Sequence, residues 1–171
     1  MSLGQDFLHA SVRRLEQLQG RIEACLARLT PEQVWARPNE NSNAIGNLVL
    51  HLNGNVRQWI LSGVRGDSDE RVRDLEFDTR GGVAPEELNK RLRETVNVAI
   101  ETIRTLPEER LTEQHVIQGY DVTLLQAICQ VVEHFSGHAF QIIFATKLIT
   151  GEDLGFYQNL RGSGRGKGRP D

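Results

Sequence analysis

A chain of 171 residues with 39% hydrophobic and 25% charged side chains suits one globular domain around one core. With 20 basic and 23 acidic residues the net charge is -3, which argues against a surface built for DNA, RNA or an anionic membrane. No apolar run approaches the roughly 20 residues that cross a bilayer, and residues 1–10 lack the apolar centre of a signal peptide, so a cytoplasmic protein without membrane or nucleic-acid partners is expected.

Only five prolines occur, and long stretches lack both proline and glycine, which favours helices. A first helix is expected over residues 3–29, where Leu8, Val12, Leu15, Leu18, Ile22, Cys25, Leu26 and Leu29 recur at spacings of three and four. Thr30 and Pro31 then open a short turn, as N-cap and first position. Trp35 is expected to pack over one end of the bundle.

A second helix should start at a cap on Ser42 or Asn43 and run through Ile45, Leu48, Leu52, Val56 and Ile60 to about Gly63. Residues 65–84 are charged and aperiodic, long for a loop, and read as a crossover or a lid. A third helix opens at Pro85 with Glu86 and Glu87, acidic where a helix N-terminus favours them, and ends by Pro107. Asp121 or Thr123 can cap a fourth, which carries Leu124, Ile128, Val131, Phe135, Ala139 and Ile142 and stops near Gly151.

Cys25 and Cys129 both fall among apolar neighbours and are expected to be buried free thiols. The domain is expected to span 1–157. Residues 158–171 form a Gly/Arg-rich tail, expected to be a disordered, solvated segment. Helices with one apolar stripe each, joined by long connections, predict an all-α four-helix bundle with crossover connections.

Of the five histidines, His9 and His115 are expected in solvent. His134 and His138 lie four apart on one face of the fourth helix, and His51 sits on the buried edge of the second between Leu48 and Leu52. Two imidazoles one turn apart can share a metal ion, and a third from a neighbouring helix gives an open three-nitrogen site. The alternative is three separate histidines, each bonded to a neighbouring side chain. Phe135 stands where a metalloprotease helix needs its glutamate, which argues against peptide hydrolysis. Asn47, Asn55 and Gln141 are candidates to orient an imidazole or a bound water. Arg57 is the best single candidate for substrate binding, and Gly137, mid-helix, is expected where a helix or ligand comes close. Tyr120 and Asp121 could reach the bundle mouth. Imidazole ligation fits zinc, nickel, iron or copper alike.

Three stretches then resemble the DinB-like superfamily of metal-dependent helical bundles. They are residues 29–35 (LTPEQVW) with 37–40 (RPNE), residues 43–52 (NAIGNLVLHL) continuing to 57–60 (RQWI), and residues 133–142 (EHFSGHAFQI) with 146–148 (TKL). The resemblance covers most of the chain to about Tyr157 and implies a four-helix bundle with a long crossover, frequently a homodimer. It implies a nickel or zinc ion on His51, His134 and His138, and relatives that are thiol-dependent transferases and isomerases using a low-molecular-weight thiol. Two functions are therefore expected to compete. One is a metal-dependent transferase or hydrolase that activates a thiol or water against a small-molecule substrate, with no general base evident. The other is a non-catalytic metal-binding stress-response or dimeric interaction module, which exposed apolar residues on the first helix would favour.

Overall fold

The computed structural model describes residues 1–158. The expected tail lies outside the described residues except for Gln158. Four long helices make the bundle: α1 (Leu3–Leu26), α3 (Ile45–Val56), α5 (Pro85–Arg104) and α6 (Leu124–Thr150), with a one-turn helix α2 (Pro31–Trp35) between α1 and α3. α1 packs on α5 and α6, and α3 packs on the same two. The chain therefore crosses the bundle twice, from α1 to α3 and from α5 to α6, whereas residues 65–84, expected as a crossover or a lid, join the neighbouring helices α3 and α5. Leu15, Leu18, Ile22, Leu52, Ile60, Leu92, Ile103, Ile128 and Ile142 fill the core, all with side chains fully or almost fully buried.

Local chemistry explains most boundaries. Thr30 caps α2 through a reciprocal pair with Gln33, and Thr123 caps α6 through the same arrangement with Gln126. Gly151 ends α6 in the left-handed region at φ 70°. Three boundaries differ from expectation. α1 stops at Leu26, since Arg28 and Leu29 bond back with the tighter three-residue spacing. The N-cap of α3 is Ala44 rather than Ser42 or Asn43, and the side chain that satisfies its N–H is Asn47, reaching back from the first turn. Past Val56 the helix widens into a π-helix (Arg57–Arg65) and ends on Gly66 at φ 97°.

The connections hold more structure than aperiodic sequence suggests. Residues 65–84 contain a short helix α4 (Arg73–Asp78) that lies against α3. The α5–α6 connection has a 3-10 turn (Glu108–Thr112) and an antiparallel hairpin, β1 (Gln114–Ile117) and β2 (Tyr120–Thr123), so the all-α fold carries one small ribbon. Gln118 at φ 55° and Gly119 at φ 81° make the two-residue turn that such a ribbon requires. Ile117 from this hairpin packs over Gly63, where a β-carbon would collide with it.

Trp35 does cover one end of α3. Its indole N–H donates to the Val83 carbonyl at 2.9 Å, and its ring lies flat against Gly46. Cys25 is buried as expected, but Cys129 is exposed: the α6 stripe passes through Ile128 and Val131 and leaves position 129 on the outer face. No helix among the described residues is long and apolar enough to cross a membrane.

Candidate metal centre

α3 delivers His51 from its buried face. α6 delivers His134 and His138 from a ridge bounded by Val131 and Ile142, both fully buried. His51 is buried and the α6 pair half-buried. Their Nε2 atoms converge: His51 to His134 at 3.0 Å, His138 to His134 at 3.2 Å, and all three within 4.8 Å of one another. The rings stand edge to face at 4.5–5.0 Å between centroids.

The outer nitrogens fix what the inner ones can be. His51 Nδ1–H donates to Glu76 Oε2 at 2.8 Å, and His138 Nδ1–H donates to Gln141 Oε1 at 2.8 Å. Both rings then turn a bare Nε2 lone pair inward. A proton on His134 Nε2 can serve only one of those lone pairs well, and His134 Nδ1 is itself buried without a hydrogen-bond partner. Three acceptor nitrogens aimed at one point suit a cation. Ligand nitrogens on one first-row ion, at bonds of about 2.0–2.1 Å, lie about 3.0–3.4 Å apart, which matches the two short separations.

Protonation does not supply that cation at neutral pH. Burial pushes the His134 pKa down to about 3, helped by the charges of His138, His51 and Arg71 and opposed by Glu76. Burial also lowers the His138 pKa, against the raising effect of its Gln141 bond. The two α6 rings are thus neutral, the form in which imidazole binds metal. His51, His134 and His138 can hold a metal ion.

The residues around the cluster are only partly those expected. Gln141 touches His138. Asn47 does not touch an imidazole: its amide donates to the Glu76 and Thr79 carbonyls at 2.9 Å each, while its oxygen accepts from Arg37. Asn55 is buried with an unpartnered oxygen and makes no bond to the histidines. Arg57 is exposed and lines a cavity of about 330 Å³ between α3 and residues 67–79, whose wall includes Arg71 and Glu76 but none of the three histidines. Gly137 has open space beside it, and among the described residues nothing approaches it closely. Tyr120 and Asp121 are exposed and line a hollow beside Trp59 instead. His9 is exposed, and His115 is half-buried beside Glu113.

Glu76, Arg71 and Phe77 were not expected. Arg71 grips both Glu76 oxygens, Nε to Oε1 at 2.7 Å and a terminal nitrogen to Oε2 at 2.9 Å, and its other terminal nitrogen donates to Gln58 at 2.8 Å. Burial raises the Glu76 pKa, but the bonds and charges of Arg71 and His51 outweigh it and hold the carboxyl below its usual value. Phe77 sets its ring 4.7 Å from that of His51, and the Arg73 guanidinium lies over Phe77.

The family model described as "Protein of unknown function (DUF1572)" matches residues 2–161. The chain belongs to this DinB-like family. No curated protein matches this DUF1572 chain. Solved crystal structures share its fold. A conserved protein from Enterococcus faecalis aligns at TM-score 0.71 and 16% identity, over 89% of this chain and 99% of its own. A DinB-like protein from Bacillus cereus ATCC 10987 aligns at TM-score 0.66 and 16% identity, over 84% of this chain and 90% of its own. The DUF1572 chain thus has the DinB-like helical fold that its sequence resembles.

Proposed function

We propose that this protein is a metal-dependent enzyme whose centre is a divalent ion, nickel or zinc, held by His51, His134 and His138. The observation that carries this reading is the convergence of three Nε2 atoms while the Nδ1 atoms of two of the rings are already engaged. A bound ion there supplies Lewis acidity, lowering the pKa of a low-molecular-weight thiol or a water in a position the protein leaves free. The substrate is then a small electrophile, and the reaction a transfer or a hydrolysis. The chain's own part is to hold three neutral imidazoles in place: Gln141 orients His138, Glu76 orients His51, and Phe77 walls the His51 ring. Arg57 lines a cavity that none of the three histidines reaches, so it has no part in holding a substrate at the ion.

The test is to purify the protein without a histidine tag or added metal and measure bound metals by elemental mass spectrometry, beside His51→Ala and His138→Ala. About one ion per chain, lost in both variants, is expected. No ion, and none taken up when nickel or zinc is offered, would refute the reading.

A second reading, a non-catalytic dimeric interaction module in the cytoplasm, has one observation in its favour. Phe140, Phe144 and Leu148 recur every fourth residue along α6 and are 41%, 65% and 70% exposed. The apolar surface lies there rather than on α1, where Leu3 at the first position is the only large apolar residue left exposed. Light scattering on wild type and Phe144→Glu separates a homodimer that the charge disrupts from a chain that is monomeric throughout.

A further inference from the structure

We propose that the Arg71–Glu76 pair makes His51 the anchor of the metal centre and leaves His134 its loosest ligand. The inference rests on reading the cluster as a metal centre, and goes on to rank its members.

The three rings are supported unequally. Behind His51 stands a buried carboxylate whose position is fixed from several sides. Arg71, its side chain 4% exposed, binds both oxygens, and Gln58 of the π-helix holds the far end of Arg71. Asn47 clips the same segment to α3 through the Glu76 and Thr79 carbonyls. Gly54, one turn after His51, leaves the space that the carboxylate fills. Behind His138 stands only the neutral amide of Gln141, three residues along the same helix. Behind His134 there is no partner at all among the described residues.

An anionic acceptor on the outer nitrogen makes the inner one a stronger donor, and a ring that cannot rotate loses less entropy on binding. The order of support is therefore His51, then His138, then His134. Glu76 itself lies on the Nδ1 side of His51, away from the point where the Nε2 atoms meet, so it is a positioning residue and not a fourth ligand. Arg71 holds Glu76 and also sets a terminal nitrogen 3.2 Å from His51 Nδ1, so it supports the ring both through the carboxylate and directly.

The experiment compares wild type, Glu76→Gln, Arg71→Lys and Gln141→Ala, prepared metal-free. Each is titrated with zinc and cobalt(II) against a chromophoric chelator, and the cobalt absorption bands are recorded. Glu76→Gln should weaken affinity by about 10- to 100-fold and shift the cobalt bands. Arg71→Lys, which keeps the charge and loses the fork, should weaken it by about tenfold. Gln141→Ala should cost less than either. In proton NMR of the zinc form, the His51 Nδ1–H signal should move upfield in Glu76→Gln. Equal affinity and unchanged cobalt bands in a folded Glu76→Gln would overturn the proposal, as would a Gln141→Ala loss larger than the Glu76→Gln loss. If Glu76→Gln does not fold, an Arg71→Lys affinity equal to wild type overturns it. A wild type that takes up neither ion defeats the metal-centre reading itself, and this inference with it.

Discussion

Gly54 and Glu76 share one volume: a β-carbon on residue 54 would overlap the Glu76 carboxylate oxygen that Arg71 grips. The carboxylate is the free end of a flexible side chain, so a Gly54→Ala protein can fold by moving it aside. Alanine also gains up to about 1 kcal/mol of helix propensity, which offsets only part of the disturbance. The expected variant loses stability in urea unfolding, because the buried carboxylate leaves Arg71 and His51, and binds zinc about tenfold more weakly. Wild-type affinity despite that loss would separate Glu76 from the centre.

Asn47 ties α4 to α3. Alanine there strands the Glu76 and Thr79 carbonyls and one Arg37 contact in a buried place. Asn47→Ala should lose about 3 kcal/mol of stability, read from the urea midpoint. A loss below 1 kcal/mol would mean that α4 holds without this clip.

The metal-free protein should weaken in acid. Unfolded His134 takes a proton near its ordinary 6.5, whereas in the folded chain burial delays this to about 3. Between those values the unfolded state holds more protons, so stability is complete above 6.5 and falls as the pH is lowered toward 3. His138, also lowered, acts in the same direction. Urea midpoints of chelator-treated protein should drop from pH 7 to pH 5, and His134→Gln should flatten the slope. An acid-independent midpoint would contradict the buried, neutral state of the ring.

The two cysteines should separate by reactivity. Cys129 is exposed, while burial raises the Cys25 thiol pKa against the opposing effects of Thr146 and Arg28. An aromatic disulfide reagent should modify one thiol in the native protein and the second only on unfolding. Rapid modification of both would indicate that α1 opens from the bundle.

The three histidines were legible because helical spacing is local: four residues put His134 above His138 whatever the tertiary fold, and Leu48 and Leu52 put His51 on the buried edge of its own helix. Their support was not. Glu76 and Arg71 lie 20 to 25 residues beyond His51, in a charged stretch without period, and only folding brings that stretch back over α3. One signal was present, a glycine inside α3 three residues after His51, the mark of something coming close. The same reasoning applied to Gly137 pointed to empty space. Asn47 and Asn55 each stand one turn from His51, and that spacing alone makes them candidates. Spacing gives the side of a helix but not what lies against it, and the neighbour of Asn47 is backbone.

The double crossing of the bundle bears on how the protein is made. α1 has its partners in α5 and α6, and the cluster needs His51 together with two residues of α6. A nascent chain that has emerged only as far as Ile103 therefore offers α1 half of its groove and any ion a single imidazole. Synthesis precedes assembly over more than eighty residues between His51 and His134, a separation that slows folding and leaves apolar helix faces waiting for the last one. Any ion that the three histidines hold waits on this topology until α6 has joined the bundle.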